Sequence, residues 1–160
     1  MAGVNEDDAT RQVIKRAYHL SAEGQLLEAT TEFRRALQLC PDSAEARVGL
    51  ALALGGQGIS EEAIREFRAA IRARPDHIMA HFFLAEALRD AGELDEAVAE
   101  FRAAARLSPN DADTRMALGD ALADRGDTEE AREQYRTALK LAPNDEQILQ
   151  LYELLPDHLK

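Results

Sequence analysis

From Ile78 to Asp111 the apolar residues fall into two helical stripes separated by a glycine. Leu84, Ala85 and Leu88 share one face of the first segment, at i, i+1, i+4 spacing, and Ala97, Phe101, Ala104 and Ala105 share one face of the second. Gly92, between them, is free to take the left-handed conformation that ends a helix. Asp95 and Glu96 open the second segment at the positive end of its helix dipole, and Arg102 and Arg106 close it at the negative end. Ser108, Pro109 and Asn110 break the pattern, and Asp111 is placed to cap the helix that follows. The pattern predicts a helix–turn–helix pair whose apolar face is too large for the pair alone to bury.

The same grammar returns every 34 residues: Pro41, Pro75, Pro109 and Pro143 keep that step, as do Gly24, Gly58, Gly92 and Gly126. Ala29, Ala63, Ala97 and Ala131 keep it too, followed four residues on by Phe33, Phe67, Phe101 and Tyr135. A second alanine series runs Ala36, Ala70, Ala104 and Ala138. A repeat of this length marks stacked supersecondary units. The units are 10–43, 44–77, 78–111 and 112–145, preceded by an acidic stretch at 1–9 and followed by a closing segment at 146–160. Glu61 and Glu62, then Glu129 and Glu130, open the second helices of their units, and Ser60 and Thr128 are expected to N-cap them. In the closing segment one further helix, stopped near Pro156, is expected to lay Ile148, Leu149, Tyr152 and Leu155 on the last unit and to turn Leu151 and Leu154 away.

These residues resemble the tetratricopeptide repeat pattern. Leu50-Ala51, Leu84-Ala85 and Leu118-Gly119 match its leucine followed by Gly or Ala at repeat positions 7 and 8, and Leu20, Leu54, Leu88 and Leu122 match position 11. The resemblance covers Thr10 to Asp145. Val13, Arg47, His81 and Arg115 stand at position 4, a variable site, while Arg16 at position 7 of the first unit is a sharper departure. The resemblance implies an all-α, right-handed superhelical solenoid. It also implies that the first helices line a concave surface through positions 2, 5, 6, 9, 12 and 13.

Carried onto this chain, those positions give a candidate peptide-binding groove. Its apolar part is Ile14, Tyr18, Val48, Leu52, Met79, Phe82, Phe83 and Met116, with Gly49, Gly55 and Gly56 leaving room. Its polar part is Glu86, Arg89, Asp113 and Asp120, joined by Asp90 and Asp124. Family members that clamp a chaperone's terminal carboxylate use Lys, Asn and Arg where this chain has Ile14, Tyr18, Gly49, Met79 and Phe83. Those that hold a peptide backbone with an asparagine ladder would need Asn at Lys15, Gly49, Phe83 and Ala117. Neither mode fits.

Composition narrows the function classes. The net charge is −11, with 30 acidic against 19 basic residues, so there is no basic face to displace counterions from a nucleic acid. Cys40 is the single cysteine and reads as a small packing residue. His77 and His81 lie one helical turn apart beside Asp76, but no zinc-protease pattern accompanies them, and His19 and His158 stand alone. No phosphate-cradling loop or nucleophile elbow occurs, so neither a cofactor nor a metal is expected. No apolar run is long enough to span a bilayer and no signal segment is visible, which leads to an expectation of a cytoplasmic protein. The expected function is a non-catalytic adaptor that holds an apolar or basic-amphipathic segment of a protein partner. The alternatives are a small acidic assembly or secretion chaperone, or a protein that self-associates through its closing helix or its groove.

Overall fold

The computed structural model describes residues 6–155, and all regular structure among them is helical. The helices are α1 (Glu6–Ala22), α2 (Leu26–Leu39), α3 (Ala44–Gly56), α4 (Ser60–Ala73), α5 (Ile78–Asp90), α6 (Leu94–Leu107), α7 (Ala112–Arg125), α8 (Thr128–Leu141) and α9 (Glu146–Leu154). Chain contacts divide them into two compact units, 1–87 and 88–160, with the boundary inside α5. Met1 to Asn5, together with Pro156 and His158, lie outside the described residues.

Every turn inside a helical pair is built the same way. Gly24, Gly58, Gly92 and Gly126 have φ of 76°, 79°, 80° and 97°, a region that costs a side-chain-bearing residue strain. The next residue then donates its N–H to the carbonyl of the position-11 leucine: Gln25 to Leu20 at 2.9 Å, Ile59 to Leu54 at 2.9 Å, and Asp127 to Leu122 at 2.8 Å. This 6→1 bond satisfies a carbonyl the helix end leaves open. It also fixes where the second helix starts, and so corrects one expectation. The residue preceding the second helix is Ile59 in one pair and Asp127 in another, neither capping the helix through its side chain, so Ser60 and Thr128 are first helical residues rather than caps.

In unit 1, α1 pairs with α2 and α3 with α4, and α3 packs on both α1 and α2. Phe33 is fully buried, and a Cβ added to Gly49 would stand 2.2 Å from its ring. Gly49 therefore lets α3 close onto α2; it does not make room in a groove. Arg16 avoids the core altogether, with an exposed side chain whose nearest acid is Glu32 at 3.9 Å. Its neighbours on the same face of α1, Gln12 and His19, are exposed too, whereas their counterparts Ala46, Leu50 and Ala53 on α3 are buried. α1 thus keeps a solvated stripe where α3 has a buried one.

In unit 2, α7 pairs with α8, α6 packs on α7, and α9 lies on α8. Tyr135 takes the place of the buried phenylalanine and lies against Gly119, where a Cβ would come within 2.6 Å of the ring. Asp145 caps α9 by accepting from the Gln147 and Ile148 amides at 2.9 and 3.1 Å. Ile148 is buried, Leu151, Tyr152 and Leu155 are half-buried, and Leu154 is exposed. Leu149 and Leu151 depart from expectation: Leu149 is 45% exposed and Leu151 is half-buried, because the packed stripe runs 148, 151, 152, 155 and leaves residue 149 outside it. Arg132 sits 5.4 Å over the Tyr152 ring and donates to the Leu155 carbonyl at 2.9 Å, so both ends of the helix are held.

One periodic signal lies among charged residues. Glu28, Glu62, Glu96 and Glu130 keep the 34-residue step, as do Arg34, Arg68, Arg102 and Arg136. Within unit 1 Arg34 reaches Glu62 at 2.8 Å, and within unit 2 Arg102 grips both oxygens of Glu130 at 2.6 and 2.7 Å. These bonds join consecutive pairs in register. Both partners remain partly exposed, so Arg102→Ala is expected to cost at most about 1 kcal/mol, and that cost should shrink in high salt. Denaturant titrations of the variant at low and high ionic strength check both statements.

Candidate functional site

Helices α1, α3 and the first part of α5 carry the apolar candidates in unit 1. Tyr18 and Leu52 are each 37% exposed and Met79 is 50% exposed. Tyr18 meets the buried Phe33 edge-on at 5.0 Å, and its hydroxyl points to the Glu45 carbonyl at 3.4 Å. Burial, and then the Glu45 carboxylate, push its phenol above the ordinary range. The ring is thus held from behind while one face stays open to solvent. Phe82 and Phe83 are half-buried and perpendicular at 5.4 Å. Phe83 also stacks on Phe67 of α4 at 6.3 Å, so part of its surface is already spent inside the fold.

Two expected groove residues are core residues. Ile14 is 5% exposed and Val48 is 3% exposed, which leaves a ligand nothing to touch. The reason is a close approach of the helices: with Gly49 permitting α3 to press on Phe33, the position-5 side chains are sealed between neighbouring helices. Leu52, one helical turn after Val48, escapes that seal. Gly55 and Gly56 are exposed near the end of α3, and a Cβ on Gly55 would meet nothing within 4 Å.

In unit 2 the candidates are of another kind. Asp113 is exposed, Met116 half-buried, and Asp120 half-buried with its Oδ1 accepting from the Tyr135 hydroxyl at 2.6 Å. Arg89 bonds Asp124 at 2.9 Å and stands 3.9 Å from Asp120. Burial raises the Asp120 carboxyl above its ordinary value, while the Tyr135 hydroxyl and Arg89 pull it back. Burial and Asp120 push the Tyr135 phenol up. Asp120 is therefore the internal partner of a buried tyrosine as well as a surface acid. A substitution of phenylalanine by tyrosine at one step of the aromatic series was the visible hint of that bond. Glu86, the remaining candidate, is half-buried on α5 in unit 1.

The histidines near α5 bind backbone. His81, buried, brings Nε2 to 2.9 Å from the Pro75 carbonyl, and His77 Nδ1 accepts from the Ala80 amide at 3.3 Å. Arg47, the counterpart of His81 in the preceding repeat, donates to the Pro41 carbonyl at 2.9 Å and to Glu66 at 2.9 Å. In these two repeats the position-4 side chain thus holds the turn before its own helix. Among the described residues no group of three or more His, Cys, Asp or Glu side chains is gathered as a metal would require, and no helix is long and apolar enough to cross a membrane.

Helical pairs of fixed length, glycine turns at one register and buried small residues at positions 8, 20 and 27 are now matched by sequence comparison. A tetratricopeptide repeat model matches residues 49–112 and 84–146, and a second TPR repeat model matches 18–58. The chain belongs to the tetratricopeptide repeat family. Among curated proteins no sequence matches it. Its fold is shared with solved structures of this repeat class. A MamA RS-1 double mutant superposes with TM-score 0.85 at 20% identity, covering 92% of this chain and 83% of that one. MamA from Desulfovibrio magneticus RS-1 gives 0.84 at 20% identity, covering 92% and 84%. Pseudomonas aeruginosa pilF gives 0.84 at 21% identity, covering 92% and 67%. The fold class is the all-α tetratricopeptide solenoid type expected from the sequence, and at these identities the likeness speaks to fold alone.

Proposed function

We propose that this tetratricopeptide protein is a non-catalytic adaptor whose first unit holds an apolar segment of a protein partner. The observation that carries this reading is the trio Tyr18, Leu52 and Met79. They are large apolar side chains left 37 to 50% exposed on the first helices of three successive pairs, in a unit whose other first-helix apolar residues are largely sealed. Phe82 adds partial surface beside them. A second feature favours a segment with basic flanks. The chain carries 30 acidic against 19 basic residues, a field that speeds encounter with a cationic partner.

Selection from a displayed random-peptide library tests the reading. Peptides enriched on the wild type are expected to carry at least two apolar anchors, often beside Lys or Arg, and to be lost on Leu52→Glu/Met79→Glu. Enrichment that is identical on both proteins would overturn it. Self-association is the second reading, favoured by Leu149 and Leu154 standing exposed on α9. Light scattering across a hundredfold range of concentration decides it, since a constant monomer mass removes it.

A further inference from the structure

Arg34, Gln38, Arg47, Glu62 and Glu66 in unit 1 stand two repeats before Arg102, Arg106, Arg115, Glu130 and Gln134 in unit 2. The unit 1 set is balanced, two arginines against two glutamates. Arg34 bonds Glu62 at 2.8 Å, and Arg47 bonds Glu66 and the Pro41 carbonyl, each at 2.9 Å. Unit 2 keeps the first pair as Arg102 with Glu130, but has an arginine for Gln38 and a neutral amide for Glu66. Both exchanges add positive charge, leaving three guanidinium groups against one carboxylate in a chain of net charge −11. All five unit 2 side chains line one solvent-open cavity of about 380 Å³, together with Leu118.

We infer that this cavity is a binding site for a small oxyanion of two negative charges, held by the Arg106 and Arg115 guanidinium groups. Glu130 is not available to either arginine, because Arg102 grips both of its oxygens at 2.6 and 2.7 Å. Arg115 donates Nη1 to the Gln134 amide oxygen at 3.2 Å, and its Nε is buried with no partner among the described residues. Arg106, exposed at the end of α6, makes no side-chain bond or ion pair among the described residues. Two guanidinium charges are therefore left without a carboxylate, at a place where unit 1 supplies its own.

The class of ligand follows from the donors. A guanidinium presents its N–H groups as a planar fork that matches the paired oxygens of a carboxylate or a phosphate. At Arg115 the incoming oxyanion takes the role that the Glu66 carboxylate has toward Arg47, and Arg106 meets the second charge. Dicarboxylates and inorganic phosphate share this chemistry, and the cavity volume lies at the lower end of the range of about 300–1,000 Å³ usual for small-molecule sites. Chloride has the charge of neither and cannot bridge two forks.

None of these residues belongs to the apolar candidates of unit 1, so the inference is independent of what that unit binds, and its test needs no peptide. Nuclear magnetic resonance of the full chain follows the arginine Nε–H signals at neutral pH. Succinate and inorganic phosphate are titrated separately at constant ionic strength, with sodium chloride as the reference. Arg106 and Arg115 are expected to shift saturably with at least one of the two dianions, and the one that saturates identifies the oxyanion. Gln134→Glu, which restores the residue of unit 1, is expected to weaken that binding about tenfold or more by supplying the carboxylate internally. Arg106→Gln removes one holder at an exposed position and is expected to weaken it as well, which keeps the test decisive should the first variant fold poorly. Absence of a saturable shift with either dianion would overturn the inference. So would an equal response to chloride, or wild-type affinity in both variants.

Discussion

Valine in place of Gly49 is expected to cost unit 1 about 3 kcal/mol or more, enough to leave a small helical array largely unfolded at modest denaturant. A single Cβ at this position would lie 2.2, 2.3 and 2.9 Å from three atoms of the Phe33 ring, well inside contact distance. Phe33 has no exposed surface and is flanked by Tyr18 edge-on at 5.0 Å, so the ring cannot swing aside without displacing Tyr18. Alanine at Gly49 suffers the same clash and is expected to destabilise despite its better helix propensity. Gly55→Ala supplies the contrast. It lies in the same helix with nothing within 4 Å of an added Cβ, so the helix-propensity gain of up to about 1 kcal/mol should survive. Opposite signs for two glycine-to-alanine changes six residues apart, read from urea midpoints, would tie the effect to Phe33 rather than to helix propensity.

That pair of glycines shows where the sequence was legible. The 34-residue step announced helical pairs, glycine turns and the buried aromatic series, because each answers to a local rule of backbone geometry or helix amphipathicity. Gly49 looked like open space in a groove, since a missing side chain is silent about which surface it faces. Ile14 and Val48 looked like groove residues for a related reason. Whether an apolar position is sealed or open depends on how near the next helix comes, and that distance was set by Gly49. The Arg34–Glu62 and Arg102–Glu130 bonds were visible as two charged series at the same period, once each was compared across repeats. His77 and His81 read as a metal-like pair in the sequence, whereas both rings meet backbone, at the Ala80 amide and the Pro75 carbonyl.

Leu52→Glu combined with Met79→Glu is expected to weaken a bound apolar segment at least about a hundredfold while leaving the helical content unchanged. Each anchor buried at an interface contributes roughly 1.5–3 kcal/mol, so losing two removes at least the 2.7 kcal/mol or so that a hundredfold change represents. Introduced carboxylates would also have to be desolvated beneath the ligand. The fold should tolerate the change because both side chains already reach solvent, at 37% and 50% exposure. The corresponding change at the sealed Val48 is expected to unfold unit 1 instead, which separates a surface effect from a core effect. Calorimetric titration of a selected peptide, with circular dichroism of each variant, checks all three statements.

The most direct measurement of the central claim is a chemical-shift map of isotope-labelled protein titrated with such a peptide. The largest perturbations are expected on the side-chain methyls of Leu52 and Met79 and on the Tyr18 and Phe82 rings. Ile14 and Val48 should move little. Perturbations centred on the exposed leucines of α9, with Leu52 and Met79 unmoved, would contradict it.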